Sequence, residues 1–180
     1  WPAAYRLHHA VRGGLLMHTL SIVKLCEGVC EVYPFVNKDL LLTGAMLHDI
    51  AKTTEYDVGA SGIASGYTVE GNLIGHLVKG AMLVDEAATE LSISREKAML
   101  VEHMLISHHG EPEYGAAVRP MFLEAELLSE LDLMDARVYQ IAHAIENVEE
   151  NGFSSRLWAL EDRRIYKHET KQDSTKVNLE

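Results

Sequence analysis

With 180 residues, 47% of them apolar and 24% charged, the chain has the composition of a single globular domain long enough to bury most of its unfolded surface. Its net charge of −11 speaks against a broad phosphate-gripping surface. No apolar run is long enough to cross a bilayer and no signal peptide is visible, so the expectation is a cytoplasmic protein. Cys26 and Cys30, four apart in an apolar helical pattern, fit two buried thiols in a reduced compartment. The first residue is Trp1 rather than Met, as expected of a portion of a longer protein or of a trimmed one.

Gly13-Gly14 breaks the opening segment, and a helix follows in which Leu15, His18, Ile22, Leu25, Val29 and Val32 recur at steps of three and four. Pro34 ends it, and Asn37 or Asp39 caps a second helix that runs to about Ile50, with Leu41, Ala45 and His48 on one face. Residues 53–67, rich in Gly, Ser and Thr, read as a loop or short hairpin. A third helix is expected from Val69 to Leu91 with the stripe Leu73, His76, Gly80, Leu83 and Ala87. Ser94 caps a fourth, Arg95 to about Ser107, which ends in His108-His109-Gly110. The longest runs from about Met121 to Val148 and carries Leu128, Asp132, Asp135 and Tyr139 on one side. A short helix around Trp158 is expected to pack back, and the polar stretch 169–180 to be disordered. No strand-period segment is convincing, so the fold class is all-α, a bundle of five or six helices spanning 1–168.

The polar residues on buried faces are His18, His48, Asp49, His76, His108, His109 and Asp132. Taken singly, His18 or His76 fits a core histidine bonded to a carbonyl, and Asp132 a partner of Arg137 or a tyrosine. Taken together they need one common explanation, because every buried polar atom must find a partner. Five imidazoles and two carboxylates suit manganese, iron, cobalt, nickel or zinc rather than calcium or magnesium. They are too many for one tetrahedral zinc and about right for two ions sharing Asp49. Lys52, one turn beyond His48, is either a contact to a phosphate oxygen or a solvated lysine at a helix end. Asp135 is expected to orient a ligand or pair with Lys52. His103 and His143 read as structural or exposed.

The order His18, His48-Asp49, Asp132 resembles the HD superfamily of metal-dependent phosphohydrolases, and His76 with His108-His109 resembles its dinuclear branch. The set Pro2-Ala3-Ala4, His8-His9, Gly13 to Leu16 with His18-Thr19-Leu20, Leu47 to Lys52, Glu70-Gly71, Gly75-His76, Ser107 to Gly110 and Leu131 to Ala136 is similar to the YhaM family of 3′-to-5′ exoribonucleases. Three departures are Ala51 for glycine, Met17 for glutamate, and Glu113-Tyr114-Gly115 for that family's EWG. The resemblance implies phosphodiester hydrolysis of RNA with two divalent ions, manganese favoured. One ion is held by His18, His48, Asp49 and Asp132, the other by His76, His108 and His109, with Asp49 bridging. Asp49 and Lys52 carry the catalytic expectation, and His8 or His9, Lys52, Glu113 and Tyr114 the substrate contacts. The family's N-terminal RNA-binding OB-fold has no counterpart here, and self-association is implied. A phosphohydrolase of small or cyclic nucleotides and a non-catalytic metal-binding module are the alternatives.

Overall fold

The computed structural model describes residues 1–5 and 9–169. Five helices of ten or more residues make the bundle: α1 (Gly14–Val32), α2 (Lys38–Leu47), α5 (Gly75–Glu90), α6 (Arg95–Ser107) and α7 (Leu123–Ile145). Two short helices, α3 (Lys52–Glu55) and α4 (Val69–Leu73), flank a hairpin of β1 (Tyr56–Val58) and β2 (Ala64–Tyr67). The strands are antiparallel, Tyr56 facing Tyr67. The loop-or-hairpin expectation for 53–67 therefore holds for its strands, while its first residues are helical. Near the C-terminus β3 (Gly152–Phe153) pairs with β4 (Tyr166–Lys167).

The helix ends follow their local chemistry. Asn37, not Asp39, caps α2, its side chain accepting from Leu40 N at 3.2 Å. Ser94 caps α6, and Gly110, at φ 75°, turns the chain away after it. The expected helix over 69–91 is two helices, because Gly75 adopts φ 71° and breaks the run. The kink leaves Leu73 78% exposed, so it is no part of the core stripe, and Ala88 rather than Ala87 is buried further along. Val32, at the last turn of α1, is likewise exposed. Of the turn Trp158–Leu160, Leu160 packs inward while Trp158 faces solvent. The polar tail expected from Glu169 lies, apart from Glu169 itself, outside the described residues, as does His8.

Helix α2 sits centrally, packed against α1, α6 and α7. Ile22, Leu41, Met104, Leu105 and Leu128 are fully buried where these four helices meet. Truncating one of them to alanine costs about 2–5 kcal/mol. Close approach is built in at Gly44, where a Cβ would stand 2.2 Å from Met104 Cε. This packing fixes the C-terminal end of α2, and with it His48 and Asp49, between the ends of the other helices. Among the described residues no helix is long and apolar enough to cross a membrane.

Candidate metal centre

The structure brings His18 of α1, His48 and Asp49 after α2, His76 of α5, His108 and His109 after α6, and Asp132 of α7 into one cluster. Helix α2 stops at Leu47, so His48 and Asp49 occupy a turn leading into α3. His18, His48, Asp49 and His108 are each at most 2% exposed. Asp132 and His109 are half-buried and mark the side on which the cluster meets solvent.

Every imidazole of the cluster has its Nδ1 engaged by the protein. His48 Nδ1 donates to Ala45 O at 2.9 Å, His108 Nδ1 to Leu105 O at 2.8 Å and His109 Nδ1 to Tyr114 O at 3.0 Å. A carbonyl can only accept, which leaves the Nε2 of each neutral ring as a bare lone pair. His18 Nδ1 pairs with Asp135 Oδ2 at 2.7 Å and His76 Nδ1 with Glu55 Oε1 at 2.9 Å. Five Nε2 atoms are thereby left to the interior. Carboxylate or carbonyl behind a ring is the arrangement that fixes a metal-binding tautomer.

Asp49 divides the cluster. Its Oδ2 lies 3.6 Å from His18 Nε2 and 3.4 Å from His48 Nε2, and its Oδ1 lies 3.5 Å from His76 Nε2 and 3.6 Å from His108 Nε2. His18, His48 and Asp49 can place ligand atoms around one point, and His76, His108 and His109 around another. Asp132 Oδ1 approaches His18 Nε2 at 3.0 Å, on the first side.

The donor set fits divalent cations. Asp49 Oδ1, His76 Nε2 and His108 Nε2 are buried without a hydrogen-bond partner, and all three face one another. Leaving such groups unsatisfied costs about 1–3 kcal/mol each, and one cation between them serves all. On the other side the Nε2 atoms of His48 and His18 stand 3.3 Å apart, a contact that needs a proton or a cation between the rings.

The electrostatics differ across Asp49. Burial works to lower the His18 pKa, but hydrogen bonds to Asp132 and Asp135 outweigh it and raise the pKa from 6.5 to about 9. Burial likewise opposes ionisation of Asp49, yet Lys52 and then His48 hold its carboxyl well below the usual carboxylate range. Asp132 is also held low, against burial, by His18. On the other side burial lowers His108, and burial followed by the charges of His108 and His76 lowers His109 to about 3. Neutral rings are what a metal requires.

Some placements depart from the sequence expectations. Lys52 is not a solvated lysine: it is 6% exposed and its Nζ donates to Asp49 Oδ2 at 2.7 Å. Asp135 does not pair with Lys52 but accepts from His18 and, at 2.9 Å, from His9 Nε2. His9 is fully buried behind His18 with its ring against Tyr139, so it faces Asp135 and not a substrate mouth. Glu113 and Tyr114 are exposed in a 3-10 turn, Pro112–Tyr114, on the His109 side. His103 accepts from Met121 N at 3.0 Å, and His143 is exposed beside Glu146. Glu55, behind His76, was not singled out from the sequence. Its signal is the spacing Asp49, Lys52, Glu55, steps of three along a helical turn.

The family model for the HD domain matches residues 15–137, a span that holds every residue of this cluster. The chain belongs to the HD-domain family. Curated relatives of this HD domain include the 3′-5′ exoribonuclease YhaM of Bacillus licheniformis, 38% identical over 167 residues. Those of Listeria welshimeri and Bacillus subtilis are 39% and 37% identical over 166 and 167 residues. The alignments cover 93%, 92% and 93% of this chain and 52% of each relative, so the chain spans about half the length of the proteins it matches. No solved structure matches it significantly.

Proposed function

We propose that residues 1–168 form the catalytic HD domain of a metal-dependent phosphodiesterase, a 3′-to-5′ exoribonuclease that releases nucleotides from RNA. The observation that carries this is the bifacial Asp49, with two imidazole nitrogens 3.4–3.6 Å from one oxygen and two more 3.5–3.6 Å from the other. His18, His48, Asp49 and Asp132 would hold one ion, and His76, His108, His109 and Asp49 the second. Manganese is the favoured metal, with iron, cobalt, nickel or zinc compatible with the same donors. Bound by these residues, divalent ions would supply Lewis-acid activation of water and stabilisation of negative charge on a phosphoryl group.

The chain's own residues set the stage for that chemistry. Asp135 and the carbonyls of Ala45, Leu105 and Tyr114 keep the rings oriented without adjustment during turnover. Burial of His48 and Asp49 keeps bulk water from the inner side, and the half-buried Asp132 and His109 leave the opening through which a phosphodiester reaches the cluster. Lys52 lies against the same Asp49 oxygen as the first-side rings and adds positive charge toward a non-bridging phosphate oxygen. Glu113 and Tyr114 would line the mouth beside His109.

The names of the relatives support RNA as substrate. The relatives are longer than the matched chain, and the same reading assigns RNA gripping to a further portion of OB-fold type where this acidic domain does not supply it. Self-association belongs to the same reading, and two free cysteines support a reduced, cytoplasmic setting. The charge of −11 favours a second reading for the isolated domain, hydrolysis of a small or cyclic nucleotide. Incubation with manganese and a 5′-labelled oligoribonucleotide separates the two. Stepwise shortening from the 3′ end is the expected result. Hydrolysis of a cyclic dinucleotide alone would select the second reading, and turnover of neither with metal bound would leave a non-catalytic metal module.

A further inference from the structure

Helix α5 opens at a kink. Gly75 has φ 71°, and the first helical N–H groups beyond it have no partner within the helix. Glu55, 7% exposed at the end of α3, meets one of them, that of His76, from across the chain. Its Oε1 accepts from His76 N at 3.1 Å and from His76 Nδ1 at 2.9 Å. One oxygen thus grips both the backbone and the ring of a single residue, which fixes the ring's rotation as well as its tautomer. A carboxylate at this end of a 16-residue helix is also favoured by the helix dipole.

The position of Glu55 is itself enforced. Its carbonyl accepts from Thr68 N at 2.9 Å. Gly71 lies so close that a Cβ there would stand 2.3 Å from the same carbonyl oxygen. A glycine in α4 and a left-handed glycine at the first position of α5 thus seat one acid behind His76.

We propose that Glu55 is the positioning residue of the His76 side of the centre, aiming His76 Nε2 at Asp49 Oδ1 and governing the affinity of the ion held there. The inference rests on the two-ion reading above. Glu55 touches neither substrate nor ion; it acts through His76. Asp135 does the corresponding work for His18, so loss of either acid falls on one side of Asp49 and not on the other.

The test uses the 180-residue chain titrated with Mn²⁺ by calorimetry, together with ¹⁵N NMR of the metal-free protein to read the His76 tautomer. Glu55→Met removes the acceptor and keeps the volume; Glu55→Ala serves if that variant does not fold. The expected result is one ion bound as in the wild type and the other weakened about 10–100-fold. In metal-free protein the His76 proton moves from Nδ1 toward Nε2. Glu55→Gln, whose amide oxygen still accepts, restores most of the affinity and the Nδ1–H tautomer. Two ions at wild-type affinity in Glu55→Met, equal weakening of both, or an unchanged tautomer would overturn the inference. Binding of fewer than two ions by the wild type would instead overturn the two-ion reading, with the tautomer measurement still deciding the role of Glu55.

Discussion

The two sides of Asp49 are built from the same kinds of side chain, yet they solve the problem of buried charge differently. On the first side His18 is held between two carboxylates, Asp132 at 3.0 Å and Asp135 at 2.7 Å, and its pKa is raised to about 9. The Lys52 ammonium sits on the Asp49 oxygen that faces this side. Protons and lysine thus supply positive charge from within the protein. On the second side the rings of His108 and His109 are pushed toward neutrality, and Asp49 Oδ1, His76 Nε2 and His108 Nε2 have no hydrogen-bond partner. On the two-ion reading, an ion on the first side would take the place of this internal positive charge, whereas an ion on the second would meet polar atoms already without a partner.

Removing Asp49 breaks the comparison at its centre and has the largest expected effect. Asp49→Asn should reduce phosphodiesterase activity at least about 1,000-fold and cost both ions, because one carboxylate serves both sides. Asp49→Ala is a harsher change, leaving Lys52 buried without its partner at a cost of about 3–5 kcal/mol in stability. Metal content by mass spectrometry beside thermal unfolding distinguishes lost ligation from lost folding. Retention of two tightly bound ions in Asp49→Asn would contradict the shared role.

Chelation comes next. If two ions bind as proposed, each would stabilise the fold by about 2.7 kcal/mol at a metal concentration a hundredfold above Kd. For a chain of this size removal of one ion should lower Tm by roughly 5–10 °C. His76→Ala should keep about half of the wild-type response to chelation, and His18→Ala the other half. A response abolished by either variant alone would merge the two sides into one.

Two glycines sharpen the contrast with smaller effects. A Cβ at Gly14 would stand 1.8 Å from the carbonyl oxygen of His9, whose ring bonds Asp135. Gly71 bears in the same way on Glu55. Gly14→Ala should weaken the first ion about tenfold and Gly71→Ala the second, each sparing the other. The smallest effect is expected at Leu73, which the kink at Gly75 leaves exposed. Leu73→Ser should change stability by no more than about 0.5 kcal/mol, whereas a core leucine such as Leu41 would lose several.

Those last two residues show what was legible in the sequence. Helical periodicity placed Ile22, Leu41 and Leu128 in the core and put His18, His76 and Asp132 on inward faces, because each relation lies within one helix, and it carried His48 along as the residue that closes α2. The break at Gly75 was not visible, since apolar spacing over 69–91 runs on without registering a positive φ. Glu55 was hidden for a related reason: the Gly, Ser and Thr of 53–67 spoke for a loop, while α3 is held by its packing under α4 and α5. His9 and Lys52 were placed near the chemistry but not at their depth. Burial of a lysine against an aspartate, or of one histidine behind another, is set by contacts between distant segments that no local pattern encodes.

The central claim, that Asp49 joins two ions held by opposite halves of one cluster, is tested most directly by anomalous diffraction from crystals grown with manganese. The account predicts two peaks, one among His18, His48 and Asp132 and one among His76, His108 and His109, with an Asp49 oxygen directed at each. A single peak, or two that both leave Asp49 unligated, would contradict it.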